Sequence, residues 1–153
     1  DKRGNTENTL QGAGSMKHFA VIDTNIIVSG LLSSHYDSAT VQVIGRLFSG
    51  QFIPVFSEEI LREYNEVLRR KKFHFTETVV ARMLHTIELY GELIVPAPTG
   101  EILPDMKDLP FYEAAMSKRE DNAYLITGNM KHLPSKQFIV TAHDFLEILN
   151  KVL

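Results

Sequence analysis

Several acidic and amide side chains stand where they could act on a bound ion. Asp23 directly follows the mostly apolar run Lys17-His18-Phe19-Ala20-Val21-Ile22 and precedes Thr24 and Asn25. If that run is a strand, the carboxylate projects from its C-terminal edge, where α/β proteins collect their ligands. Glu63 lies in a stretch whose Ile60, Leu61, Tyr64, Val67 and Leu68 form one stripe at about 100° per residue. It falls nearer the centre of that stripe than Glu58, Glu59 or Glu66, so it borders a buried face. Asp105 and Asp108 sit three apart in a Pro-bounded loop with Glu101 close by, a cluster suited to a hard cation. Asn129 follows Thr127 and Gly128 at the end of another apolar run. Each residue also has a plainer use. Asp23 and Asp108 are preferred helix caps, a helical glutamate often makes a surface ion pair, and Gly128-Asn129 suits a turn that needs positive φ.

Other chemistries are excluded or weakly signalled. The chain has no cysteine, which removes disulfides, thiolate nucleophiles and Cys-type zinc sites. It carries no phosphate-cradling glycine loop and no nucleophile elbow. The histidines (His18, His35, His74, His85, His132, His143) show no metal-ligand spacing and read as surface or packing residues. Arg69-Arg70-Lys71-Lys72 followed by Phe73-His74-Phe75 is a basic cluster with aromatics; it reads either as a solvated helix end or as an RNA-contacting patch.

The elements that must hold these groups alternate between strand and helix. Strands are expected at 17–22, Phe52–Phe56, Glu92–Val95, Ala123–Thr127 and Phe138–Val140. Pro54 in the second suggests an edge or strand-start position. Helices are expected from Ile26 to Leu32, from a cap at Asp37 or Ser38 to about Phe48, from a cap at Ser57 to about Arg70, from Thr76 to near Gly91, and over Leu109–Lys118. Thr141-Ala142-His143-Asp144 opens a last helix in the manner of a capping box. Asp121-Asn122 reads as a turn. This alternation predicts an α/β fold, a three-layer α/β/α sandwich on a mainly parallel sheet of about five strands.

Composition sets the outer limits. Residues 1–15, rich in Gly, Asn and Thr, read as an unstructured added leader, leaving 16–153 as a single domain of common size. No apolar run approaches the roughly 18 residues of a membrane span, so the expected location is cytoplasmic. A net charge of −3 argues against a protein that coats nucleic acid by electrostatics alone. It leaves room for an acidic site whose bound cations supply local positive charge.

The ordered set of motifs resembles the PIN-domain family of ribonucleases, and most closely its toxin branch from toxin–antitoxin pairs. The matching pieces are Val21-Ile22-Asp23-Thr24-Asn25-Ile26, the stretch from Ser57 to Glu63 with Tyr64 and Val67-Leu68 behind it, Asp105-Met106-Lys107-Asp108-Leu109-Pro110-Phe111 leading to Glu113-Ala114-Ala115, and Tyr124-Leu125-Ile126-Thr127-Gly128-Asn129. The resemblance implies that Asp23, Glu63 and Asp108 form an acidic triad for Mg²⁺ or Mn²⁺. Thr24, Asn25, Ser57 and Thr127 would be orienting positions behind it. Many relatives have aspartate where this chain has Asn129, and Asp105 is the residue placed to compensate. The implied reaction is hydrolysis of phosphodiester bonds in single-stranded RNA, with an antitoxin protein and a second copy of the chain as partners. Two other readings stand beside it: a non-catalytic PIN module that binds RNA or protein, and a haloacid-dehalogenase-like phosphatase. The latter usually wants an acid where Asn25 stands.

Overall fold

The computed structural model describes residues 17–151, so the leader expected at 1–15 lies outside the described residues. Apolar segments separated by capped helices give the order β1 (His18–Ile22), α1 (Thr24–Leu32), α2 (Ala39–Phe48), β2 (Phe52–Phe56), α3 (Glu58–Leu68), α4 (Glu77–Tyr90), β3 (Glu92–Leu93), α5 (Leu109–Ser117), β4 (Tyr124–Ile126), β5 (Ile139–Val140) and α6 (Ala142–Asn150). The five strands form one parallel sheet in the order β3-β2-β1-β4-β5. Successive residues Ala20, Val21 and Ile22 of β1 are all buried, so both faces of the central strand are covered. α5 packs across β1, β2 and β4, while α2 and α4 both pack on β2.

This strand order has a direct consequence for where a ligand can sit. The chain winds outward from β1 through β2 to β3, then returns to the other side of β1 for β4 and β5. The reversal lies between the C-terminal ends of β1 and β4, where open α/β sheets leave a crevice. Asp23 and Thr127 are the residues that immediately follow those two strands.

Four helices begin with a hydroxyl that accepts the amide three residues on. These are Ser38 from Val41 (3.4 Å), Ser57 from Ile60 (3.2 Å), Thr76 from Val79 (3.2 Å) and Thr141 from Asp144 (3.1 Å). Asn122 takes the left-handed conformation (φ 58°) expected of the Asp121-Asn122 turn.

Two expectations need correction. β2 is not an edge strand; it pairs with β1 on one side and β3 on the other. Pro54 is tolerated because it pairs with Ala20, whereas β3 joins only at Val55 and Phe56, so the proline faces no ladder on that side. β3 also stops at Leu93 rather than Val95. Ile94 still donates to the Phe56 carbonyl at 2.9 Å, but Val95 is 93% exposed. Gly91 sets this join: a Cβ there would lie 2.3 Å from the Ile87 carbonyl oxygen and 2.7 Å from that of Pro54.

Candidate functional site

Asp23 occupies the first position before α1, with extended backbone, yet its side chain makes no capping hydrogen bond to that helix. The carboxylate is instead held from the opposite strand. Thr127, fully buried after β4, donates its hydroxyl to Asp23 Oδ2 at 2.7 Å. The Thr127 hydroxyl also accepts the Asn129 amide at 3.0 Å, so its own proton is committed to Asp23. Asp23 is only 7% exposed. Burial raises its pKa, opposed first by the Thr127 hydrogen bond and then by the nearby amides of Asn25 and Thr24.

Glu63 reaches the same place from α3. Its helix buries Ile60, Tyr64, Val67 and Leu68, which leaves Glu63 half-buried at the border of the stripe. Thr24 donates to Glu63 Oε2 at 2.8 Å, so the residue after Asp23 orients the second carboxylate. Burial pushes the Glu63 pKa up and the charge on Asp23 adds to the rise, while Thr24, Lys107 and Arg70 oppose it. One turn position away, the fully buried Tyr64 hydroxyl donates to the Ile22 carbonyl at 2.6 Å and pins the strand end just before Asp23. Sequence reasoning had counted Tyr64 as packing alone. The available signal was a phenol in an apolar stripe, which needs a polar partner when buried.

The third acid arrives on the loop before α5. Asp105 caps a short 3₁₀ turn, Met106–Asp108, by accepting the Lys107 amide at 3.0 Å. Asp108 then stands at the N-terminus of α5 without making a capping bond, and its Oδ2 is buried with no hydrogen-bond partner. Burial raises its pKa to about 6, helped by the charges on Asp23, Asp105 and Glu63 and opposed by His132. An orphaned carboxylate oxygen facing three like charges is the arrangement a hard cation relieves.

Asp23, Thr24, Asn25, Glu63, Asp105, Asp108 and Asn129 all line one cleft of about 340 Å³, together with Glu66, Arg70, Lys72, Phe73 and Lys107. Asn129 has φ −111°, so it does not serve a left-handed turn. Ser57 is not brought to this cleft. Its hydroxyl is used on the Ile60 amide, and it borders a separate groove with Leu93, Val95 and Pro110. The ligand atoms of Asp23, Glu63 and Asp108 do not all come within 4.8 Å of one another. The only described residues that do are His143, Asp144 and Glu147 on α6. That corrects the expectation that no histidine has ligand spacing, because an i, i+4 pair brings His143 within 3.4 Å of Glu147. All three are exposed, which makes them a solvated ion-pair face. Lys107 is a cleft-lining group the sequence reading did not single out.

Comparison with known proteins decides the family. A family model described as PIN domain matches residues 20–131, a span that includes every acid of the cleft. The chain belongs to the PIN domain family. PIN domains are in general nucleases that use divalent metal ions and act on nucleic acid, and membership removes the phosphatase reading. The fold is similar to the crystal structure of PAE2754 from Pyrobaculum aerophilum, with a TM-score of 0.53 over 95% of this chain and 98% of that one. At 14% identity that likeness carries the fold alone. No curated protein matches the PIN chain significantly. Among the described residues, no helix is long and apolar enough to cross a membrane.

Proposed function

We propose that residues 16–153 form a single-domain, metal-dependent ribonuclease that hydrolyses phosphodiester bonds of single-stranded RNA. The observation that carries this reading is the buried, unpartnered Oδ2 of Asp108, a residue that lines one cleft with Asp23 and Glu63. Asp23, Glu63 and Asp108 hold Mg²⁺ or Mn²⁺, with Asn129 at the fourth corner and Asp105 beside it. Bound there, such an ion supplies an activated water and neutralises charge on the scissile phosphate. The protein's own groups prepare that chemistry. Thr127 and Thr24 each commit a hydroxyl proton to one carboxylate, which orients it and opposes the pKa rise that burial imposes. Tyr64 fixes the strand end that carries Asp23. Asn25, exposed at the cleft, stands ready to donate to a backbone oxygen of the strand being cut. The setting that fits a small nuclease of this kind is a cytoplasmic toxin with an antitoxin partner. The exposed Leu93, Val95 and Ile102 offer apolar surface to that partner or to a second copy of the chain.

The test is cleavage of a labelled RNA pool by the purified full chain in Mn²⁺. The wild type cuts. Asp23→Asn and Asp108→Asn, folded by circular dichroism, lose cleavage by on the order of 10³-fold, since an ion's charge stabilisation is worth several kcal/mol. Wild-type-like cleavage by either variant overturns the assignment. Asn129 favours a second reading, a PIN module that binds without turnover, because an amide there removes one negative charge from the site. Calorimetric Mn²⁺ titration alongside cleavage separates the two: tight binding with no turnover selects the module, and no binding at all sinks both.

A further inference from the structure

We infer that Phe73, stacked on Phe75 and lining the acidic cleft, is the platform on which one nucleobase of the single strand rests, with Lys72 and Lys107 holding the adjoining phosphates. This rests on the nuclease reading above and names the groups that bind its substrate. The two rings lie 5.6 Å apart at 18°, in a stacked arrangement. Both are half-buried and pack against the main core, so each has a fixed side and an open side. The turn between them is tightly defined. A 3₁₀ turn, Lys71–Phe73, is closed by the His74 amide on the Lys71 carbonyl at 3.1 Å. His74 itself takes the left-handed conformation (φ 59°), which reverses the chain and returns Phe75 beneath Phe73. A histidine there is strained, and such strain persists where the surroundings impose it.

Charge decides which neighbours are available. Arg69 is paired with Glu77, and Arg70 with Glu66, each through two hydrogen bonds. Lys72 and Lys107 enter no ion pair among the described residues, and both line the cleft. The exposed Lys72 ammonium sits 5.2 Å from the Phe73 centroid, so that ring is reachable from water by a group that prefers an aromatic face. The cleft is lined by five carboxylates, Asp23, Glu63, Glu66, Asp105 and Asp108; Arg70 neutralises Glu66, and the two lysines offset only part of the remaining repulsion toward phosphates. Stacking supplies attraction that does not depend on charge, and it requires an unpaired base.

Binding is measured by fluorescence anisotropy of a short labelled RNA strand in Mn²⁺, with the full chain carrying Asp108→Asn so that the strand stays intact. Phe73→Leu, which keeps apolar packing without an aromatic face, weakens binding by roughly 5- to 150-fold, the usual worth of one stacked base. Phe73→Tyr binds like the parent. Lys72→Gln lowers the salt slope by about 0.7 from a parental value near 1.4, as expected for two phosphate contacts to a single strand. An abasic scan gives one position whose loss weakens the parent and leaves Phe73→Leu unchanged. A duplex of the same sequence binds far more weakly. Equal binding by folded Phe73→Leu, or an abasic scan of the parent with no sensitive position, overturns the platform. The scan needs no substitution at Phe73, so misfolding of that variant does not shelter the idea. If the wild type cleaves while Phe73→Leu binds normally, the platform alone is wrong. If no strand is bound or cut by any form, the nuclease reading falls with it.

Discussion

The helix starts fall into two kinds. Ser38, Ser57, Thr76 and Thr141 each close a hydrogen bond onto the first turn of the helix they precede. Asp23 and Asp108 hold the same position before α1 and α5 and close none. Aspartate caps as well as serine does, so leaving the bond unmade forgoes stability that was available at both places. Asp105 sharpens the contrast. It lies in the same cleft, but its side chain is used on the Lys107 amide, in the manner of an ordinary cap. The difference marks which carboxylates the fold keeps available and which it uses for itself.

Breaking that contrast starts with the largest effect. Saturating Mn²⁺ raises the thermal midpoint of the wild type by roughly 5–10 °C, from about 2.7 kcal/mol of linkage at a hundredfold excess over Kd. Asp23→Asn and Asp108→Asn lose most of that rise, while Asp105→Asn keeps it; an equal loss in all three removes the distinction between capping and uncapped acids. Next comes Thr127→Val, which strands Asp23 Oδ2 and the Asn129 amide in a buried site. It destabilises the protein by about 1–3 kcal/mol in denaturant titration, whereas Thr127→Ser keeps both bonds and costs less.

A smaller effect is read from pH. In chelator, ionising Asp108 works against folding, because its pKa of about 6 lies above the ordinary 3.8. Below pH 3.8 the group is neutral in both states and no penalty exists. Between 3.8 and about 6 the unfolded chain ionises first and stability falls, and above that the loss is complete. Solvent screening of a half-exposed group reduces that loss to about 1 kcal/mol. Asp108→Asn flattens this segment of the stability curve; an unchanged curve would mean the carboxylate is not under repulsion. An ordinary cap gives an effect of the same size and no functional readout: Thr76→Ala costs about 1 kcal/mol of stability and leaves cleavage per folded molecule unaltered.

Much of the scaffold was legible because periodicity and caps are local. Ser38, Ser57, Thr76 and Thr141 announced their helices, and the apolar run before Asp23 announced the central strand. Pro54 misled because its effect depends on how far a neighbouring strand extends, and β3 is only two residues long. The acids were visible as residues but not as a group: spacing alone could not choose between capping and ligand roles, and the order of motifs did. The hydrogen bond of Tyr64 and the cleft position of Lys107 escaped notice because both depend on what lies opposite them in space.

The Thr127–Asp23 hydrogen bond joins residues 104 apart in sequence, and Thr24–Glu63 joins residues 39 apart. These are late-closing contacts in kinetic terms, since a long loop must lose its freedom before either bond returns anything. While the chain emerges from its amino end, Asp23 and Glu63 can meet long before β4 exists to discipline Asp23. Full assembly waits for the docking of β4 beside β1, so the same event that extends the sheet past its central strand also completes the cleft.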